Sequence, residues 1–171
     1  MKLLIADDEI QIREGLSEGI DWGKLGIDKV LTAENGLDAL EVCRAEKPEI
    51  LITDVRMPGI DGLELSRRAA QLYAPVRVIV LSGYSEFRYA QEALKLGAAD
   101  YLLKPIDIGE LEDKVAQCCA DVRRETDESK LRSAYTALQR RKTVRALLSQ
   151  GRPLPAELVQ EPRSELRLAA G

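Results

Sequence analysis

Asp7 and Asp8 follow the apolar run Leu3-Leu4-Ile5-Ala6, Asp54 follows Ile50-Leu51-Ile52-Thr53, and Lys104 stands just before Pro105. If the two apolar runs are neighbouring strands of one parallel sheet, the three carboxylates meet in a single crevice. Unit charges about 4 Å apart repel by roughly 4 kcal/mol at an effective dielectric of about 20. Sheet packing does not call for such a cluster. A divalent cation and a phosphoryl group would: Mg2+ takes octahedral oxygen ligands and a few carboxylates, and a carboxylate carrying a phosphoryl group is established covalent chemistry.

Each part alone has an ordinary reading. Asp7, Asp8 and Glu9 suit a turn or a helix start, and Asp54 ahead of Pro58-Gly59 suits a turn. Ser82-Gly83 after the next apolar run is a common turn pair, yet its hydroxyl and close-approaching backbone N–H could also hold an anion. Lys104 supplies a compact cation on a flexible stem, and Pro105 sets the following turn, with the cis form open to it. The conjunction is what is specific. An acidic pair, a single acid, a hydroxyl and a lysine each close a different strand, all on one edge.

The elements that must position them follow from periodicity. Strands are predicted at 2–6, 29–33, 49–53, 76–81 and 100–103. Helical patterns lie between them at 10–19, 36–46, 62–71 and 85–96, with another starting near Gly109. The first, third and fourth strands lack polar alternation, as when helices cover both faces of a parallel sheet. Repeated β-α units point to a doubly wound α/β fold; in its common order 2-1-3-4-5 the ligand crevice opens where the first and third strands end. Between the first helix and second strand, Asp21 to Gly26 reads as a loop pinned by Trp22.

No Gly or Pro interrupts Glu110 to Gln150, so the last helix is expected to run on as an extension. Leu131, Tyr135 and Leu138 keep coiled-coil spacing, but Lys142 and Arg145 fall on the same seam, so pairing in a dimer stays open. Arg140, Arg141, Lys142 and Arg145 are a weak nucleic-acid signal. The expected division is a domain over 1–122, a helical connector over 123–150, and a tail or start of a truncated region over 151–171.

Of 171 residues, 45% are hydrophobic and 32% charged, which describes a globular chain. The formal net charge of −4 exerts no global pull on nucleic acid. No run suits a signal peptide or membrane span, and three cysteines without metal spacing suit a reducing cytoplasm. The absence of histidine removes His-based triads, His-ligated metals and any phosphohistidine on this polypeptide.

The motifs Ala6-Asp7-Asp8-Glu9, Thr53-Asp54-Val55-Arg56-Met57-Pro58, Leu81-Ser82-Gly83-Tyr84 and Tyr101-Leu102-Leu103-Lys104-Pro105 resemble those of response-regulator receiver domains in two-component systems. The resemblance covers residues 1 to 122 and implies a flavodoxin-like five-stranded sheet with a C-terminal helical extension. It implies that Asp54 accepts a phosphoryl group from a partner sensor histidine kinase. Mg2+ would be held by Asp8, Asp54 and the Arg56 backbone carbonyl, with Asp7 acting through water. Lys104, Ser82 and the Gly83 N–H would bind phosphoryl oxygens. Ser82 and Tyr101 would form the switch, changing the face made by the 85–96 helix, the fifth strand and the last helix, and favouring a homodimer. Arg56 and Tyr84 would tune phosphoryl lifetime, their bulk slowing hydrolysis.

Ile20-Asp21-Trp22 and Leu81-Ser82-Gly83-Tyr84-Ser85-Glu86-Phe87 further resemble regulators carrying an AraC-type helix-turn-helix output domain. That domain is absent here, so DNA would be reached only through it. Such a chain is not an enzyme beyond its own phosphorylation and dephosphorylation. The competing readings are a Mg2+-dependent aspartyl-nucleophile phosphatase, a flavin or nucleotide binder, and an unphosphorylated protein-contact module. Such phosphatases carry a second Asp two residues after the nucleophile, where this chain has Arg56. The second reading lacks a Gly-rich loop after the first strand.

Overall fold

A computed structural model describes residues 1–73, 76–83 and 100–149. Five parallel strands, β1 (Lys2–Ala6), β2 (Lys29–Ala33), β3 (Ile50–Asp54), β4 (Arg77–Ser82) and β5 (Asp100–Leu103), form one sheet in the order β2-β1-β3-β4-β5. The helices are α1 (Ile10–Gly19), α2 (Gly36–Glu46), α3 (Gly62–Leu72) and α4 (Ile108–Ser149). This is the flavodoxin-like doubly wound arrangement with a C-terminal helix. The helix expected at 85–96, Tyr84 and the tail from 151 lie outside the described residues.

Side-chain alternation along the strands sorts the core into two layers. Leu3, Ile5, Ile50, Ile52, Ile79, Leu81 and Leu102 pack with Leu16 of α1 and with Leu111, Val115, Cys118 and Cys119 of α4. Leu4, Leu51, Val78 and Val80 point the other way, against Ala39, Leu40 and Cys43 of α2 and Leu65 and Ala69 of α3. Strands covered on both faces cannot alternate apolar with polar residues, which is why their sequence is uniformly apolar.

Two strands end one residue later than periodicity predicts. Asp54 still pairs with Leu81 in the β3–β4 ladder, and Ser82 with Leu103 in the β4–β5 ladder. Polar type argued for a turn at these positions, but ladder hydrogen bonding continues through them. Each side chain is therefore carried on a strand rather than on a loop.

The helix starts follow local chemistry. The Asn35 and Asp61 side chains accept the Asp38 and Glu64 N–H groups at the starts of α2 and α3. The expected loop after α1 contains a 3-10 turn, Trp22–Leu25, closed by Gly26 in the left-handed region at φ 83°. The Trp22 indole is buried and donates to the Leu16 carbonyl at 2.9 Å, so it is the expected anchor. All three cysteines are buried, and burial pushes the Cys118 thiol up to about 11.

The chain divides into two compact units, Met1–Glu125 and Thr126–Gly171. In the second, Leu131, Tyr135 and Leu138 are exposed. No helix among the described residues is long and apolar enough to cross a membrane.

Candidate functional site

The register of the sheet builds the site. Ala6 stands level with Thr53, so Asp7 falls level with Asp54 one step beyond the ladder. Asp7, Asp54 and Lys104 continue the alternation of Ile5, Ile52 and Leu102, so all three project toward the α1 and α4 side. Lys104 Nζ lies 2.7 Å from Asp54 Oδ1 and 3.1 Å from Asp7 Oδ2. Asp8 falls on the opposite alternation and is exposed. Two of the three predicted carboxylates are therefore drawn together by the lysine, and Asp8 stands beside them in solvent.

Burial makes this pair demanding. Asp7 is fully buried and Asp54 is 7% exposed. Desolvation raises the Asp7 pKa above the ordinary carboxylate value, against the lowering effects of the Glu9 N–H and Lys104; the Asp54 charge raises it further. Burial alone would lower the Lys104 pKa, but hydrogen bonds and charge from Asp54 and Asp7 hold it well above the ordinary lysine value. The ammonium is thus the charge compensation that lets two carboxylates occupy one crevice.

The surrounding backbone holds the acids in place. The Glu9 N–H donates to Asp7 Oδ1 at 2.9 Å, and the Arg56 N–H to Asp54 Oδ2 at 2.8 Å. Arg13 on α1 donates to the Asp7 carbonyl at 2.6 Å, and the Asp7 N–H donates to Ala33 O. Arg56 itself is exposed, with Pro58 and Gly59 beyond it.

Ser82 is fully buried, and among the described residues its Oγ has no hydrogen-bond partner. A buried hydroxyl left unsatisfied costs about 1–3 kcal/mol, so it marks a place where an acceptor or donor is missing. Gly83, half-buried, follows it, and the Lys104 N–H donates to the Ser82 carbonyl at 2.8 Å. Tyr101 is half-buried, level with Val80, and packs on the α2–α3 side of the sheet. The Lys104–Pro105 peptide bond is cis.

The donor set suits a hard divalent cation. Asp7, Asp54 and the neighbouring Asp8 offer oxygen alone, with no thiolate or imidazole, as Mg2+ requires. No group of three or more acidic or cysteine side chains among the described residues stands as a ready metal cluster. The ammonium now fills the gap between Asp7 and Asp54.

Sequence reasoning passed over three contributors. Glu9 reads only as a helix-start residue, yet its Oε1 lies 3.4 Å from Lys104 Nζ. Arg13 carries no signal in a helix pattern. Gly62 reads as the residue after a turn, but a Cβ there would sit 2.0 Å from the Asp54 carbonyl oxygen. That close approach lets the start of α3 pack under the acid, and the Gly62 N–H donates to Val55 O at 2.9 Å. Gly62→Ala is therefore expected to cost roughly 2–3 kcal/mol. Urea unfolding reads this directly, and an unshifted midpoint would show that the α3 start yields without loss.

A family model described as "Response regulator receiver domain" matches residues 3–116. The chain is 41% identical over 134 residues to the uncharacterized transcriptional regulatory protein YesN of Bacillus subtilis, covering 78% of this chain and 36% of that protein. It is also 41% identical over 111 residues to the transcriptional regulatory protein HptR of Staphylococcus aureus, covering 65% and 43%. The chain thus spans less than half the length of these curated relatives. Among solved structures it resembles the REC domain of AraT, a response regulator from Geobacillus stearothermophilus (43% identity, TM-score 0.69, 73% of this chain and 97% of that one). A two component transcriptional regulator AraC from Clostridium phytofermentans matches at 38% identity and TM-score 0.70, over 74% and 98%.

Proposed function

The chain belongs to the response regulator receiver domain family, and from that premise we propose that Asp54 is its phosphoacceptor, loaded by a partner sensor histidine kinase. The observation that carries this reading is the buried Asp7–Lys104–Asp54 arrangement beside an unsatisfied Ser82 hydroxyl. It is costly as a structural device, and it suits a site that receives a dianionic group.

An Asp54 oxygen attacks phosphorus as the P–N bond to the donor imidazole breaks, and the imidazole takes up a proton. Lys104 follows the charge onto the phosphoryl oxygens, and the Ser82 hydroxyl and Gly83 N–H supply hydrogen bonds there. Asp7, Asp8, Asp54 and the Arg56 carbonyl would hold Mg2+, which when bound neutralises charge and orients the phosphoryl group. Ser82 and Tyr101, one on each of two paired strands, carry the change outward. Bulky Arg56 and Tyr84 slow attack by water.

Residues 1–122 are the receiver and 123–150 the connector to an output domain outside this chain. Two of the relatives are named as transcriptional regulatory proteins and one solved neighbour as a two component transcriptional regulator AraC, which supports a DNA-binding output of AraC type. Phosphorylation would favour a homodimer and so control transcription.

The test is intact mass after incubation with Mg2+ and acetyl phosphate. One added phosphoryl group is expected on the native chain and none on Asp54→Asn. A native chain that stays unmodified, or a variant that gains the same mass, ends this reading.

A further inference from the structure

Lys104 poses a problem for any cation that is to enter the site. Every oxygen of the two buried carboxylates already accepts a hydrogen bond. Asp7 Oδ1 takes the Glu9 N–H and Asp54 Oδ2 the Arg56 N–H, while Asp7 Oδ2 and Asp54 Oδ1 share the ammonium. A divalent cation placed among these oxygens would lie within a few ångströms of Lys104 Nζ and repel it. The ammonium must move, yet it must stay close enough to meet phosphoryl oxygens.

Glu9 offers it a place. Among the described residues it is the one further carboxylate within ion-pair distance of Nζ, at 3.4 Å, and its side chain is 63% exposed at the mouth of the crevice. It stands at the N-cap of α1 but makes no side-chain capping bond, although capping is the usual task of an acid there. Its carboxylate is turned to Lys104 instead. We propose that Glu9 is a positioning residue for Lys104, receiving the ammonium when a divalent cation takes Asp7 and Asp54 and holding it at the entrance.

This inference rests on the receiver reading. Without Glu9 the ammonium has, among the described residues, no carboxylate partner besides the buried acids, so it stays between them and competes with the metal. Mg2+ binding is the readout, followed by calorimetry on the whole chain with Glu9→Gln and Glu9→Asp. Aspartate keeps the charge but is one methylene shorter, so from the same backbone position its carboxylate falls short of the 3.4 Å contact that Glu9 makes with Nζ.

Both variants are expected to bind Mg2+ about three- to five-fold more weakly than the native chain, the scale of a partly exposed ion pair. The difference is expected to shrink at about 0.5 M salt, where screening shortens the reach of exposed charges. Native-like binding by Glu9→Gln overturns the proposal. Native-like binding by Glu9→Asp alone overturns it too, because charge without reach would then suffice. The same samples are treated with acetyl phosphate at saturating Mg2+. A native chain that takes up neither metal nor phosphoryl group defeats the receiver reading itself. A phosphorylated native chain with indifferent variants defeats only the role of Glu9.

Discussion

Lys104→Met is expected to destabilise the fold by about 2–3 kcal/mol at pH 7, lowering Tm by about 8 °C. Methionine keeps the stem and removes the charge, so Asp7 and Asp54 remain buried without their shared partner. Breaking a buried pair costs roughly 3–5 kcal/mol in a dry interior, and the lower figure here reflects a Lys104 side chain 20% exposed. The pH dependence identifies the cause. Asp7 already has a raised folded pKa because burial outweighs Lys104 and the Glu9 N–H, and losing the ammonium raises it further. A group with a raised folded pKa favours folding below its unfolded value and loses that contribution as pH rises through the folded value. The deficit of Lys104→Met should therefore be small near pH 4 and grow toward neutrality. A deficit that stays constant from pH 4 to about pH 8 would assign it to packing rather than charge.

Asp7→Asn is expected to act in the opposite direction on stability and to remove function. The amide keeps an acceptor for the Glu9 N–H while eliminating a fully buried negative charge beside Asp54. Stability at pH 7 should rise by about 1 kcal/mol. The sign follows from the same linkage: native Asp7 is ionised at a cost above its raised folded pKa, and that cost is absent below the unfolded value of about 3.8. The gain should fade as the solution is acidified. Calorimetric Mg2+ binding should be lost together with labelling by acetyl phosphate. A variant both less stable than the native chain and still able to bind Mg2+ would contradict the account of Asp7 as a strained ligand.

Much of this molecule is legible in one dimension. Short uninterrupted apolar runs such as Leu3 to Ala6 and Ile50 to Thr53, bounded by turn residues, read as strands covered on both faces, and helical segments between them call for parallel connections. From that alone the parallel doubly wound class and the edge bearing the acids follow, while the order β2-β1-β3-β4-β5 is fixed by the pairing of the strands themselves. The reason is that hydrophobic period and connection length are local properties of the chain. Trp22 is legible in the same way, as one large aromatic in a short glycine-bearing loop with a core to fill.

Three-dimensional packing decided the rest. Asp7 and Asp8 are adjacent and chemically identical, yet only Asp7 is buried against Lys104. The choice is made by the alternation of side chains on β1 and by a partner 97 positions away. Glu9 and Gly62 carry no distinguishing mark until Lys104 Nζ and the Asp54 carbonyl are brought to them. The amino-acid order determined which groups reach the active edge, because periodicity is short-range. Which of those groups touch, and at what electrostatic cost, is set by distances between strands that meet only when the sheet closes.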